Sequence, residues 1–128
     1  MADLYSRLIR NIGIVDARSL TSHGTEYAFK TARLAPGTAA RELGARIVEV
    51  PAGKRACPYH FHHAEEEIFI VLAGEGTLRV AGEYLPIRSG DVIFIPAGPE
   101  YPHQLINTSQ AQLSYLAIST QAPAEVCE

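Results

Sequence analysis

The chain has 128 residues, of which 47% are hydrophobic and 20% are charged, and its net charge is −3. This is the size of one domain with one hydrophobic core. The chain has no long basic run, which argues against a nucleic-acid surface. The longest apolar run, residues 68–73, is too short to span a bilayer. With no signal pattern at the N-terminus, we expect a cytoplasmic protein without nucleic-acid or membrane partners.

The two cysteines, Cys57 and Cys127, are not in a paired metal-binding spacing. Two reduced thiols are the preferred interpretation for a cytosolic protein, and a disulfide between them stays open. Cys57 is either a thiol near the mouth of a pocket or a small buried hydrophobic residue, and the second interpretation is favoured.

The N-terminal part, residues 1–26, is predicted to be an extension of the main domain. Residues 4–15 fit a short helix or an edge strand equally well, and residues 21–25 are typical of a loop. Residues 121–128 are predicted to be a surface tail.

Between these ends, residues 27–120 have the sequence pattern of a β domain. One short helical piece is predicted at residues 38–43. Short apolar stretches separated by Gly and Pro turns predict an all-β sandwich or barrel rather than alternating strands and helices. The predicted strands are 27–35, 46–50, 66–72, 77–80, 84–87, 92–95, 103–106 and 113–119.

Four side chains with metal-binding chemistry occur in two of the β-rich stretches. His60 and His62 are two residues apart, so they share one face of a strand. Glu67 lies near the start of the returning strand, and antiparallel return brings its carboxylate close to His62. His103 begins another strand, and closure of a barrel would add it to the same inner face. The pattern therefore predicts a site made of His60, His62, Glu67 and His103.

Three imidazoles and a carboxylate suit one divalent ion, with Fe(II), Mn(II) or Ni(II) favoured and Zn(II) possible. Four protein ligands on a six-coordinate ion leave two positions for water or a chelating substrate, which is a catalytic arrangement. Glu66 is the alternative ligand if the turn is one residue tighter, whereas His63 faces away and is expected to be exposed. Several further residues either line the pocket or are plain core: Tyr101, Leu105, Leu113, Tyr115 and Ala117.

These two stretches resemble the two motifs of the cupin superfamily. The first motif is matched by Gly53, His60-Phe61-His62, Glu67 and Gly74. The second motif is matched by Gly90, Pro96-Ala97-Gly98, His103 and Asn107. The spacers before His60 and before His103 are longer than is usual in the family. The matched region covers about half of the chain, which looks most like the small single-domain bacterial cupins.

The resemblance implies a double-stranded β-helix, that is, a jelly-roll barrel with little helix. It implies that His60, His62, Glu67 and His103 hold a metal inside the barrel, and that the protein is a homodimer. Since the superfamily includes dioxygenases, decarboxylases, isomerases and non-catalytic binding proteins, the fold does not fix the function.

Two functions are compatible with these sequence features. The first is a small metalloenzyme that acts on an oxo-acid, enediol or sugar chelated at the metal, with Glu67 as the candidate catalytic base. The second is a binding barrel for a small molecule or carbohydrate, with a structural metal. Arg79 and Arg88 are isolated charges expected on outer faces, and the lack of an Arg and Lys cluster near the motifs makes a phosphosugar isomerase less attractive.

Overall fold

The computed structural model describes residues 3–13, 19–23 and 25–121 of the chain, with the backbone alone described at 19–23. These residues form one short helix and nine strands. The elements are α1 (Leu4–Leu8), β1 (Ser19–His23), β2 (Tyr27–Arg33), β3 (Leu43–Val50), β4 (Glu67–Ala73), β5 (Glu75–Val80), β6 (Glu83–Arg88), β7 (Val92–Ile95), β8 (His103–Ile106) and β9 (Leu113–Thr120). The predicted all-β fold is confirmed. No helix in the described ranges is long and apolar enough to cross a membrane.

Of residues 4–15, for which a helix and an edge strand were both open, residues 4–8 form the helix α1. Asp3 caps it, because its carboxylate accepts a hydrogen bond from the backbone N–H of Ser6 at 2.8 Å. Cys127 and the predicted C-terminal tail beyond residue 121 lie outside the described residues.

Two local predictions were wrong. Residues 21–23 belong to β1, which pairs antiparallel with β2, rather than to a loop. Residues 38–42 form bends instead of a helix, and residue 43 already begins β3. The backbone N–H of Ala39 donates to the carbonyl of Arg7 at 2.7 Å, so a tertiary contact takes the place of a helical hydrogen bond. A helix of six residues is too short to resist such competition.

The strands form two antiparallel sheets. The larger sheet has the order β1-β2-β3-β9-β4-β7, and the smaller sheet has the order β6-β5-β8. Strand β9 pairs with both β3 and β4, so the C-terminal strand lies in the middle of the large sheet. Together the sheets form the jelly-roll barrel that was expected.

Along β4, β5 and β9, alternate residues face the interior and contribute to one core. On β3 the buried face continues through Val48 and Val50, and on β4 it includes Phe69 and Val71. Phe69 and Tyr115 pack edge to face with their ring centroids 5.7 Å apart. This aromatic pair lies directly beside the predicted site, since the Phe69 ring is also 5.8 Å from the ring of His103.

Asn107, the last residue of the second motif, has a structural role. It is fully buried, and its amide nitrogen donates to the carbonyls of Val50 at 2.8 Å and Ala111 at 2.7 Å. Its backbone also pairs with Gly53 and Lys54 through two hydrogen bonds of 2.8 Å. The residue therefore joins three chain segments at one end of the barrel.

Candidate metal centre

Backbone pairing places the histidines. His60 and His103 form an isolated antiparallel bridge, in which His60 donates to the carbonyl of His103 at 3.1 Å and accepts from its N–H at 2.8 Å. The N–H of Gly98 donates to the carbonyl of His62 at 2.8 Å, which attaches the second motif to the first. His60 and His62 thus lie on a strand-like segment of isolated bridges rather than in a regular strand.

The four predicted side chains converge on one point. One ligand atom from each of His60, His62, Glu67 and His103 lies within 4.8 Å of the ligand atoms of the others. The Nε2 atoms of His60 and His62 are 3.2 Å apart. The carboxylate atom Oε1 of Glu67 is 2.8 Å from Nε2 of His103 and 3.2 Å from Nε2 of His62. The structure therefore brings together all four residues that the sequence singled out.

The outer nitrogens of two rings fix which tautomer faces the centre. Nδ1 of His60 is 2.7 Å from the carbonyl of Pro58, and Nδ1 of His103 is 3.0 Å from the carbonyl of Tyr101. A carbonyl accepts only, so each Nδ1 carries a proton, and the neutral tautomer of either ring presents the lone pair of Nε2 to the centre. Lone pairs facing a carboxylate oxygen at 2.8 Å repel one another unless a proton or a cation lies between them. The donor set therefore fits a metal cation.

Electrostatics favours the protonation states that a metal requires. Burial lowers the pKa of His60 below its ordinary value of 6.5, although the hydrogen bond to Pro58 acts in the opposite direction. Burial alone would raise the pKa of Glu67, but the His103 imidazole, 2.8 Å away, and the other nearby imidazoles outweigh this effect and lower it. At neutral pH the centre thus offers a neutral His60 and an ionised Glu67, the forms that bind metal.

The centre opens into a cavity of about 590 Å³ between the two sheets. Its wall includes Leu105, Tyr115 and Ala117, which were expected either to line the pocket or to be core. Of the other two, Leu113 is fully buried in the core and Tyr101 is 45% exposed at the surface. A volume of this size accommodates a small organic molecule.

The remaining candidates near the motifs lie outside the centre or at its border. Glu66 is exposed and does not join the cluster, so the alternative ligand is not supported. His63 is exposed, as expected, and contacts the ring of Phe61. Both interpretations of Cys57, as a thiol near a pocket and as a hydrophobic core residue, apply in part, because it packs against the core and also lines the cavity.

The sequence analysis missed two basic residues of the cavity wall, Arg33 on β2 and Arg46 on β3. The signal for Arg46 was present, because Arg46, Val48 and Val50 alternate on one strand face and the two valines are buried. The expectation that no arginines gather near the motifs is corrected by this pair. Arg79, in contrast, stacks on the ring of Tyr59 at 4.0 Å and does not line the cavity.

Curated proteins of other organisms are similar in sequence to parts of this chain. It is 39% identical over 59 residues to an oxalate-binding protein of Thermotoga maritima, an alignment that covers 46% of this chain and 47% of the relative. It is 30% identical over 129 residues to auxin-binding protein 4 of Zea mays, covering 93% of this chain and 60% of the relative. The chain thus spans about half the length of the curated relatives that it matches.

Solved structures extend the likeness to the fold. A proposed sugar phosphate isomerase of Acidithiobacillus ferrooxidans superposes with a TM-score of 0.85 at 26% identity, covering 98% of this chain and 82% of that one. The sequence also matches the family described as "Cupin domain" over residues 46–119, which contains all four converging side chains. This chain belongs to the cupin family.

Proposed function

We propose that the protein is a metal-dependent enzyme that acts on a small oxygen-rich molecule held beside one divalent ion. The observation that carries this proposal is the convergence of four ligand atoms within 4.8 Å at the wall of a cavity large enough for such a molecule. A structural metal site is usually closed by its ligands, whereas a catalytic one has access to substrate.

His60, His62, Glu67 and His103 would hold the ion. Three imidazoles with one carboxylate favour Fe(II), Mn(II) or Ni(II), and Zn(II) also fits. When bound, the ion would supply Lewis acidity to oxygen atoms of the substrate. The names of two similar proteins, an oxalate-binding protein and a proposed sugar phosphate isomerase, support a substrate rich in oxygen.

The chain's own residues supply a base and a proton donor beside this centre. Glu67 is ionised at neutral pH, and we assign it the role of a general base when it is released from the ion. Tyr115 lines the same cavity, and burial raises the pKa of its hydroxyl, so it remains a neutral hydrogen-bond donor. Together these residues could move a proton to or from an oxygenated substrate.

A second candidate function is non-catalytic binding of a small molecule. It is favoured by the name of the Thermotoga maritima relative, which describes binding rather than turnover. In that case the metal would anchor the ligand, and no product would form.

Turnover separates the two functions. The metal-loaded protein is incubated with a panel of oxo-acids, hydroxy acids, sugars and sugar phosphates, and products are followed by NMR. We expect product formation that is lost in Glu67→Gln and kept in His63→Ala, whose side chain lies outside the centre. Saturable thermal stabilisation by a panel member without any product would instead establish the binding function.

A further inference from the structure

Two arginines on neighbouring strands line the wall of the cavity. Arg33 of β2 is directly paired with Arg46 of β3 in the antiparallel register, so both side chains point to the same face of the sheet. Both residues line the cavity that contains the metal centre. In the described ranges, no carboxylate forms an ion pair with either arginine.

This arrangement has an energetic cost that falls mainly on Arg46, because Arg33 is exposed to solvent. Like charges directly opposite each other on neighbouring strands destabilise a sheet. Arg46 is half-buried, and its Nη2 atom has the thiol of Cys57 at 4.0 Å as a weak contact. A half-buried cation that has no ion-pair partner among the described residues is stabilised when an anion enters the cavity.

The register places Arg46 within reach of a molecule bound at the metal centre. Ala117 of β9 pairs with Arg46 on one side and with Phe69 of β4 on the other. Glu67 lies on β4 two residues from Phe69, so two strand spacings, roughly 10 Å, separate Arg46 from the strand that carries the metal ligand. The long arginine side chain shortens this gap to the length of a small molecule.

Small residues of β3 and β9 line the cavity between Arg46 and the metal centre. Ser119 of β9 pairs with Gly44 of β3 and with Glu67 of β4, in the row next to Ala117. Gly44, Ala117 and Ser119 all line the cavity. The amide of Gln121 lies over Gly44 and donates to the hydroxyl of Ser119 at 3.0 Å, so the open part of this surface is the row of Ala117, next to Arg46.

The charges of the wall indicate the charge of the occupant. Among the described residues, the wall carries two arginines, Arg33 and Arg46, and two glutamates, Glu65 and Glu67, so their formal charges balance. A divalent ion at the centre adds two positive charges, and a dianion would neutralise them.

We propose that Arg46, supported by Arg33, binds the anionic group of a small dianion, a carboxylate or a phosphate, whose other oxygens face the metal centre. This inference rests on the proposed function, since it names the class of molecule that the same site takes. Guanidinium groups suit both anions because their paired N–H groups match two oxygens at once.

The test measures binding by titration calorimetry on metal-loaded protein. The probes are oxalate, inorganic phosphate and the neutral polyol xylitol. The variants are Arg46→Gln and Arg33→Gln, with Arg88→Gln as the matched control, because Arg88 is exposed on β6 and does not line the cavity. Metal content is measured by mass spectrometry before and after each titration, which reveals any ion removed by oxalate.

We expect oxalate or phosphate to bind the wild-type protein and the Arg88→Gln control equally, and xylitol to bind neither. Arg46→Gln should weaken the binding of the anion by about tenfold or more at unchanged metal content, and Arg33→Gln should weaken it less. Raising the ionic strength should also weaken binding. Whichever of oxalate and phosphate binds more tightly identifies the anionic group.

The inference is overturned if neither anion binds the metal-loaded protein, or if an anion binds Arg46→Gln as tightly as wild type. Both outcomes leave metal binding itself intact. If the wild-type protein takes up no metal under any condition, the proposed function fails, and anion binding by the metal-free protein then tests Arg46 alone.

Discussion

At the scale of single residues, Glu67 links the two sheets of the barrel. It begins β4 in the larger sheet, whereas His103, 2.8 Å away, begins β8 in the smaller one. Only 11% of the Glu67 side chain and 1% of the His103 side chain are exposed, so this contact is shielded from solvent. Protonation of Glu67 should therefore weaken a contact that joins the two sheets.

Acid should destabilise the metal-free protein in two stages. The pKa of His60 in the folded protein lies below 6.5, so the unfolded chain takes up that proton first and stability falls as the pH drops below this value. The pKa of Glu67 lies below 4.5, so its stabilising carboxylate form is complete above this value and is lost as the pH falls through the folded-state pKa. Both groups act in the same direction.

Denaturation midpoints at several values between about pH 7.5 and pH 3.5 check this expectation. The His60→Gln variant should lose the upper stage and keep the lower one. A metal-free protein whose midpoint rises on acidification across the upper range would contradict the assignment.

At the scale of elements, the turn between β4 and β5 depends on Gly74. This residue has a φ of +88°, and an added Cβ atom would lie 2.4 Å from the carbonyl oxygen of Gln112. The hairpin of β5 and β6 turns at Gly82 with a similar φ of +82°, but nothing lies within 4 Å of a Cβ atom there. The two glycines share a backbone requirement and differ in the space around them.

Alanine substitution should separate these two effects. Gly82→Ala bears the cost of the left-handed backbone alone, whereas Gly74→Ala adds a collision with the backbone of residue 112. We expect Gly74→Ala to lower the free energy of unfolding by about 1–3 kcal/mol more than Gly82→Ala, as measured by chemical denaturation. Equal losses in the two variants would show that the close approach at Gly74 relaxes without cost.

Strand alternation explains how much of the centre was predictable. The two-residue spacing of His60 and His62 predicted a shared face, and their Nε2 atoms are 3.2 Å apart. The same alternation, followed back from Val48, would have placed Arg46 inside the barrel. The pairing of Arg46 with Arg33 was not accessible, because the register between β2 and β3 is a tertiary property.

The irregular segments were the least predictable. Residues 38–42 have helical composition, yet Ala39 donates to the carbonyl of Arg7, and the carbonyl of Glu42 accepts from the backbone N–H of Gln121. Local propensity cannot anticipate such distant partners. The strands at 92–95 and 103–106, bounded by Gly, Pro and Asn, were in contrast predicted with the ends that the structure shows.

At the scale of the whole molecule, the outer face of the larger sheet carries exposed apolar side chains. Phe94 is 71% exposed and Leu43 57% exposed. They border a shallow depression of about 370 Å³ together with Ile68 and Ile118. Large exposed apolar patches are typical of protein interfaces, which supports the homodimer that the cupin resemblance implies.

The homodimer stays a prediction, and light scattering coupled to gel filtration tests it. We expect the wild-type protein to have the mass of a dimer. The Phe94→Ser variant should shift toward the monomer, because this change removes the most exposed aromatic side chain of the patch. Tyr84→Ser is the control, since Tyr84 is 63% exposed on the smaller sheet. A monomeric wild-type protein, or a dimer unaffected by Phe94→Ser, would contradict this interface.

The most direct test of the central claim is the metal content of the purified protein. Mass spectrometry is applied to untagged protein reconstituted with Fe(II), Mn(II), Ni(II) or Zn(II), in the wild-type, His62→Ala and His63→Ala forms. The account predicts about one ion per chain in the wild type and in His63→Ala, and loss of the ion in His62→Ala. Equal metal in all three forms, or none in the wild type, would contradict a metal centre built from His60, His62, Glu67 and His103.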